Sequence, residues 1–216
     1  MNLNKEEDRT AWKPFLDVIL SLCVSGDNAD FFILNPERIY SSRNSCRAII
    51  ESYGITDADK LSEILSWMAV GNGSKEYLDM RNTLSLMSLT ERNSYIQIEK
   101  HSPEYKYKLS IVNHYMGRLP SSGIDAYSYG WAMFYCYAGK ELEYMKEEEK
   151  WEYVGSILQK VLKSYSSWRE FIHAFAVGRL FHSSTLSADI SRQTRASLIK
   201  LLVSPLSPIH KAHTWK

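Results

Sequence analysis

The chain has 216 residues, of which 44% are hydrophobic, 24% charged and 12% aromatic, with 26 basic and 25 acidic side chains for a formal charge of +1. Such proportions fill a globular core without covalent staples and exclude disorder, a collagen helix or a coiled coil as the main state. A dedicated nucleic-acid binder carries a marked basic excess, which this chain lacks.

The start, Met1-Asn2-Leu3-Asn4-Lys5-Glu6-Glu7-Asp8, is acidic where a secretory leader is basic and then apolar. The first predicted helix places Trp12, Phe15, Leu16, Ile19 and Cys23 on one face. Pro14 is expected within its first turn, where the missing N–H costs nothing. Gly26-Asp27-Asn28 breaks the chain, and Phe31-Phe32-Ile33-Leu34 reads equally as a strand or a buried turn before Asn35-Pro36. Ser41 or Ser42 caps a helix that runs to about Tyr53 and is stopped by Gly54. Thr56-Asp57-Ala58-Asp59 opens another, with Leu61, Ile64, Leu65 and Met68 as its apolar stripe. After the break at Gly71-Asn72-Gly73-Ser74, Tyr77, Met80, Leu84 and Met87 continue the helical rhythm, and Thr90 to Lys100 is ambiguous.

Ser102-Pro103-Glu104 is a strong helix start, reaching roughly Met116. Leu119-Pro120-Ser121-Ser122-Gly123 is the clearest loop, dividing the chain into helical halves, 1–122 and 123–216, of one compact domain. From Ile124 to Ala138 nearly every residue is apolar or aromatic, as expected of a helix buried on all sides. Glu147-Glu148-Glu149 begins the next helix, where negative charge meets the positive dipole end, and Trp151, Val154, Ile157, Leu158, Val161, Leu162 and Tyr165 form its stripe. Ser167-Trp168-Arg169-Glu170 has the pattern of a capping box ahead of Phe171, Ile172, Phe175 and Ala176. A last helix carries Ile190, Leu198, Leu201 and Leu202 and ends at Pro205 and Pro208. The expected fold is all-α: a single globular domain of about eight helices around a buried, aromatic-rich central one.

Candidate chemistry is sparse. Cys23, Cys46 and Cys136 are far apart among apolar residues, so buried free thiols in a reducing, cytoplasmic setting are expected. His210 and His213 lack a nearby acid or cysteine, and His173 and His182 fall on opposite helix faces, so no metal site is expected. No nucleophile elbow or phosphate loop is present, and no cofactor is implied. The acidic run Glu141, Glu143, Glu147, Glu148, Glu149 and Glu152 reads most simply as a solvated helix start. Its functional reading is a docking rim for a basic partner. The aromatic helix reads first as core; a wet cavity there would make Ser128, Tyr129, Trp131 and Arg179 a ligand site instead. Arg179, among apolar neighbours, is expected to pair with an acid near Glu148 or Glu170, or to bind an anion. The basic tail, Arg192, Arg195, Lys200, Lys211 and Lys216, is too sparse for a phosphate-tracking groove.

Glu147 to Phe181 reads EEEKWEYVGSILQKVLKSYSSWREFIHAFAVGRLF. This resembles the C-terminal segment of the bacterial domain-of-unknown-function 1266 family: an acidic triplet and a tryptophan, an amphipathic helix, Ser-Trp, then Gly-Arg and an aromatic. Here these are Glu147, Glu148, Glu149, Trp151, Ser167, Trp168, Gly178, Arg179 and Phe181. Gly54-Ile55-Thr56-Asp57, Leu61 and Leu65-Ser66-Trp67 are similar to an earlier family helix, so the likeness spans about residues 50–182. The chain departs from the pattern at the central helix. The family opens it with Ala-aromatic-Asp and an Arg three residues beyond the Asp; this chain has Ala126-Tyr127-Ser128 and Trp131. The resemblance implies no settled activity, but family settings suggest toxin–immunity modules. The expected function is therefore a non-enzymatic protein that binds another protein, a cognate toxin, without nucleic acid or membrane as partner. The alternative is a small-ligand protein, nucleotide-like or anionic, or an enzyme of unassigned reaction.

Overall fold

A helix that is apolar on every side must be surrounded, and the residues after Ile124 meet that condition. In the computed structural model, which describes residues 6–24, 33–40, 42–69, 71–183 and 188–212, the elements in chain order are α1 (Glu6–Cys23), α2 (Pro36–Tyr40), α3 (Arg43–Ser52), α4 (Ala58–Ala69), a 3-10 turn (Asn72–Ser74), α5 (Lys75–Ser85), α6 (Leu89–Ile96), α7 (Pro103–Tyr115), α8 (Asp125–Glu141), α9 (Glu147–Ser164), α10 (Trp168–His182), α11 (Ala188–Val203) and a second 3-10 turn (Pro208–His210). No strand occurs among the described residues. The all-α architecture is as expected, with short α2 and α6 added to the anticipated set. The expected break at Gly26-Asp27-Asn28, the run Phe31-Phe32, and Ser41, His213 and Lys216 lie outside the described residues.

Helix α8 is the axis, and α1, α3, α4, α9 and α10 pack around it. Met133, Phe134, Cys136 and Ala138 are wholly buried on it, as are Phe171, Phe175, Val18 and Ile19 on its neighbours. Burying each large apolar side chain contributes about 1.5–3 kcal/mol, so this layer supplies much of the drive to fold. The elements on either side of the Leu119–Gly123 loop thus share one core. A second cluster joins α5, α6 and α7 to the end of α10 through Tyr77, Leu84, Ile96, Leu109, Val112, Val177 and Phe181.

Three glycines let the central helices approach closely. A Cβ built on Gly130 would lie 2.5 Å from the Phe175 ring, one on Gly139 2.3 Å from Leu61, and one on Gly178 2.4 Å from Tyr127 Cβ.

Local signals place most helix ends. Ser42, Ser102 and Ser167 each accept the backbone N–H three residues on, from Ser45, Tyr105 and Glu170. The Glu170 carboxylate reaches back to Ser166 rather than closing the box on Ser167. Asp57 caps α4 by accepting from Lys60 N–H. At the end of α3, Gly54 has φ +77°. There Ile55 N–H donates to Ile50 C=O and Gly54 N–H to Glu51 C=O, a Schellman closure over the buried pair Ile50 and Ile55. Pro14 departs from expectation. It lies inside α1, which begins at Glu6, so the helix continues through the hydrogen bond that proline cannot make.

All three cysteines are free and buried. Burial pushes the Cys23 thiol up to about 12 against the pull of Arg179, Cys46 to about 11 and Cys136 to about 12. Since the thiolate is the nucleophile, a disulfide reagent is expected to leave the native thiols unlabelled and to label all of them in urea. Rapid labelling of the folded chain would contradict this packing.

Candidate functional site

The acidic run does not remain a uniform charged face. Glu147 is its structural centre. Its carboxylate accepts from Lys150 Nζ at 2.5 Å and Trp151 Nε1 at 2.6 Å, with Lys140 Nζ at 3.8 Å. Lys150 also lies over the Trp151 ring, 4.5 Å from its centroid. Partial burial works against the Glu147 charge, but the bonds from Lys150 and Trp151 and the nearby ammonium groups outweigh it and hold the carboxyl below its ordinary value of 4.5. Glu141 pairs with Lys140 at 3.1 Å, and Glu149 accepts Lys146 N–H at 2.8 Å to cap α9.

Glu147→Ala leaves the buried Lys150 ammonium and the Trp151 indole without their acceptor. Breaking such a pair costs several kcal/mol when fully buried; with Glu147 partly exposed, we expect a loss of about 2 kcal/mol in urea unfolding. A carboxyl depressed in the fold stabilises it above its unfolded value, and that contribution fades as pH falls through the folded value. The wild-type chain should therefore lose stability relative to the variant as pH falls below the ordinary carboxyl value of 4.5. Parallel stability curves over that window would show that Glu147 carries no such linkage.

Two of the acids, Glu149 and Glu152, line a cleft of about 580 Å³ between α4 and α9. Leu61 and Leu65 form its floor, Tyr144, Met145 and Tyr153 its walls, and Glu149 and Glu152 its edge. Tyr144 Oη donates to Thr56 C=O at 2.8 Å, fixing the α8–α9 turn to the start of α4. Glu148 and Glu152 face solvent. Glu143 sits in the turn itself with φ +64°, the sole non-glycine at positive φ among the described residues. The turn closes as a Schellman motif, Tyr144 N–H to Gly139 C=O and Glu143 N–H to Lys140 C=O, with glutamate where glycine is usual. Its side chain, 78% exposed, reaches Arg43 at 3.1 Å. The sequence signalled the acids but not the cleft, because its opposite wall comes from α4, distant in the chain.

The residues of the alternative site have different immediate neighbours, although Trp131 and Arg179 both lie near Tyr127. Ser128 is buried against the 3-10 turn, where a Cβ on Gly73 would meet its Oγ at 2.2 Å. Tyr129 lies by Asp125 and Ser164; burial, then the Asp125 charge, raises its phenol pKa. Trp131 is enclosed by the rings of Tyr53, Phe134, Tyr135 and Tyr127 at 5.0, 5.6, 5.9 and 6.2 Å. Arg179 donates to Leu22 C=O, near the end of α1, and lies 5.4 Å from the Phe175 ring. The expected acid partner of Arg179 is not found among the described residues. A helix C-terminus carries partial negative charge, and here it takes the place of a carboxylate. Of the four tyrosines of α8, Tyr127, Tyr129 and Tyr137 are half-buried and Tyr135 is buried. Among the described residues no group of His, Cys, Asp and Glu could hold a metal, and no helix is long and apolar enough to cross a membrane. His210 meets Ser204 C=O at 3.1 Å.

No curated protein and no solved structure matches the chain. The family model described as a protein of unknown function, DUF1266, matches residues 49–215, from the last turns of α3 to beyond the second 3-10 turn. That span includes the core helix α8, both walls of the acidic cleft and the Gly178-Arg179 pair, and by this match the chain belongs to the DUF1266 family.

Proposed function

We propose that this protein works without catalysis, by binding another protein at the α4–α9 cleft. A basic partner would seat an apolar or aromatic side chain on Leu61 and Leu65 while its cations meet Glu143, Glu148, Glu149 and Glu152. Such a charged rim around an apolar anchor point speeds encounter and fixes orientation. The observation that carries this reading is Glu143. A left-handed glutamate costs about 1 kcal/mol relative to glycine, and strain of this kind is retained where the side chain has work to do. A cognate toxin is the partner class suggested by the resemblance, which makes the chain an immunity protein. The buried thiols support a reducing, cytoplasmic setting.

The test is co-expression with the product of the neighbouring gene, scored for toxicity and its relief, together with titration calorimetry of the purified pair. Glu148→Lys with Glu152→Lys should weaken binding about 100-fold and abolish protection, because two rim attractions become repulsions. Glu143→Gly should raise stability by about 1 kcal/mol while weakening binding. Binding and protection unchanged by all three substitutions would remove the proposal.

A further inference from the structure

A second groove, of about 720 Å³, runs between α10 and α11 and shares no residue with the acidic cleft. Ile172, Ala176, Leu180, Leu198, Ile199 and Leu202 line it. Ile199 and Leu202 are 48% and 38% exposed, and Val203 and Leu206, outside the groove's lining, are exposed at 71% and 77%. Arg118, Arg169 and Arg195 stand around this floor, all exposed. None of them makes an ion pair among the described residues; Arg118 meets His114 Nε2 at 2.9 Å. The carboxylate in the groove, Glu170, is occupied by Ser166 N–H and Oγ at 2.6 and 2.8 Å. His173 lies between the arginines, and burial followed by the charges of Arg118 and Arg169 favours its neutral form. The groove therefore combines positive edges with an apolar floor.

We infer that this groove docks an acidic amphipathic helix from a partner protein. Three features select that occupant. The arginines are exposed at the edge rather than converging in a buried pocket, which suits several spaced carboxylates better than one small anion. The α10 wall from Arg169 to Leu180 extends roughly 16 Å at 1.5 Å per residue, the length of about three helical turns. The floor is concave, so a helix with apolar residues at i, i+3, i+4 and i+7 fits where a flat bilayer surface would not.

The test uses the full chain and three fluorescein-labelled helical peptides of about 14 residues, long enough to span the groove. The first has leucines at those four positions flanked by glutamates, the second lysines for the glutamates, and the third serines for the leucines. The acidic leucine peptide should bind with micromolar affinity, weakening with salt, and the other two about 30-fold more weakly or worse. Arg118→Glu with Arg169→Glu should weaken the acidic peptide about tenfold or more and reverse the preference toward the lysine peptide. These exposed positions leave the fold intact, which circular dichroism checks. No binding of the acidic peptide at about 1 mM, or equal binding of the lysine peptide, overturns the inference. Co-sedimentation with phosphatidylglycerol vesicles without affinity for the acidic peptide overturns it in favour of a membrane surface.

Discussion

Trp131→Ala is expected to lower stability by about 3–5 kcal/mol, the usual cost of emptying a large aromatic site in a packed core. Trp131 is 8% exposed and its ring lies against those of Tyr53, Tyr127, Phe134 and Tyr135, of which Phe134 and Tyr135 are themselves buried in the core. A domain of ordinary stability has about 5–15 kcal/mol in total, so the variant keeps a reduced margin. For a chain of this size each kcal/mol moves the melting temperature by about 2–4 °C, giving a drop of roughly 6–20 °C by calorimetry. A drop under about 2 °C would mean that the aromatic cluster does not hold α8 in place. Trp131→Arg, which restores the arginine at that position in the family pattern, should be worse still. It places a cation among rings with no carboxylate at position 128, and an unpaired buried charge costs several kcal/mol. Adding Ser128→Asp should recover part of that loss if the two groups can pair across one helical turn.

Gly178→Ala is expected to destabilise by about 2 kcal/mol, although alanine favours a helix over glycine by about 1 kcal/mol. The added carbon would lie 2.4 Å from Tyr127 Cβ, an atom fixed to the backbone of α8, so relief requires the two helices to separate. Gly130→Ala meets the Phe175 ring instead, at 2.5 Å. A ring edge can be removed by substitution, so Gly130→Ala and Phe175→Leu should couple: the double variant loses about 1 kcal/mol or more less than the sum of the singles in urea unfolding. Gly178→Ala at or above wild-type stability would show that α8 and α10 are free to move apart.

Features set within a few residues were legible before the structure. Ser42, Ser102-Pro103 and Ser167 announced their helices because a cap is a bond over three residues. The all-round apolar face of Ile124 to Ala138 announced the axis of the fold, because it admits no solvent side. Helix α6 carried a complete capping box, Ser88 with Glu91, yet stayed ambiguous: it buries just Ile96 within its span and has no stripe to confirm the start. The acceptor of Arg179 had no signature at all. It is a main-chain carbonyl, a group every residue carries, and chain topology alone brings Leu22 to it. For the acidic run the charges were legible but their division was not. Lys146 and Lys150 interleave with the six glutamates and Lys140 precedes them, and the fold decides that Glu147 is held by Lys150 while Glu148 and Glu152 stay in water.

Helix α1 lies ahead of the family span at residues 49–215, yet it is built into the centre of the molecule. Cys23 Sγ meets Gly130 C=O at 3.5 Å, Phe15 lies 5.3 Å from Trp168, and Leu22 C=O holds Arg179. The border of shared sequence is therefore not a border of autonomous folding. An excised 49–215 fragment would present the bare flank of α8 to solvent, and any relative that retains that helix needs a roof over the same flank, made from whatever chain it has to spare.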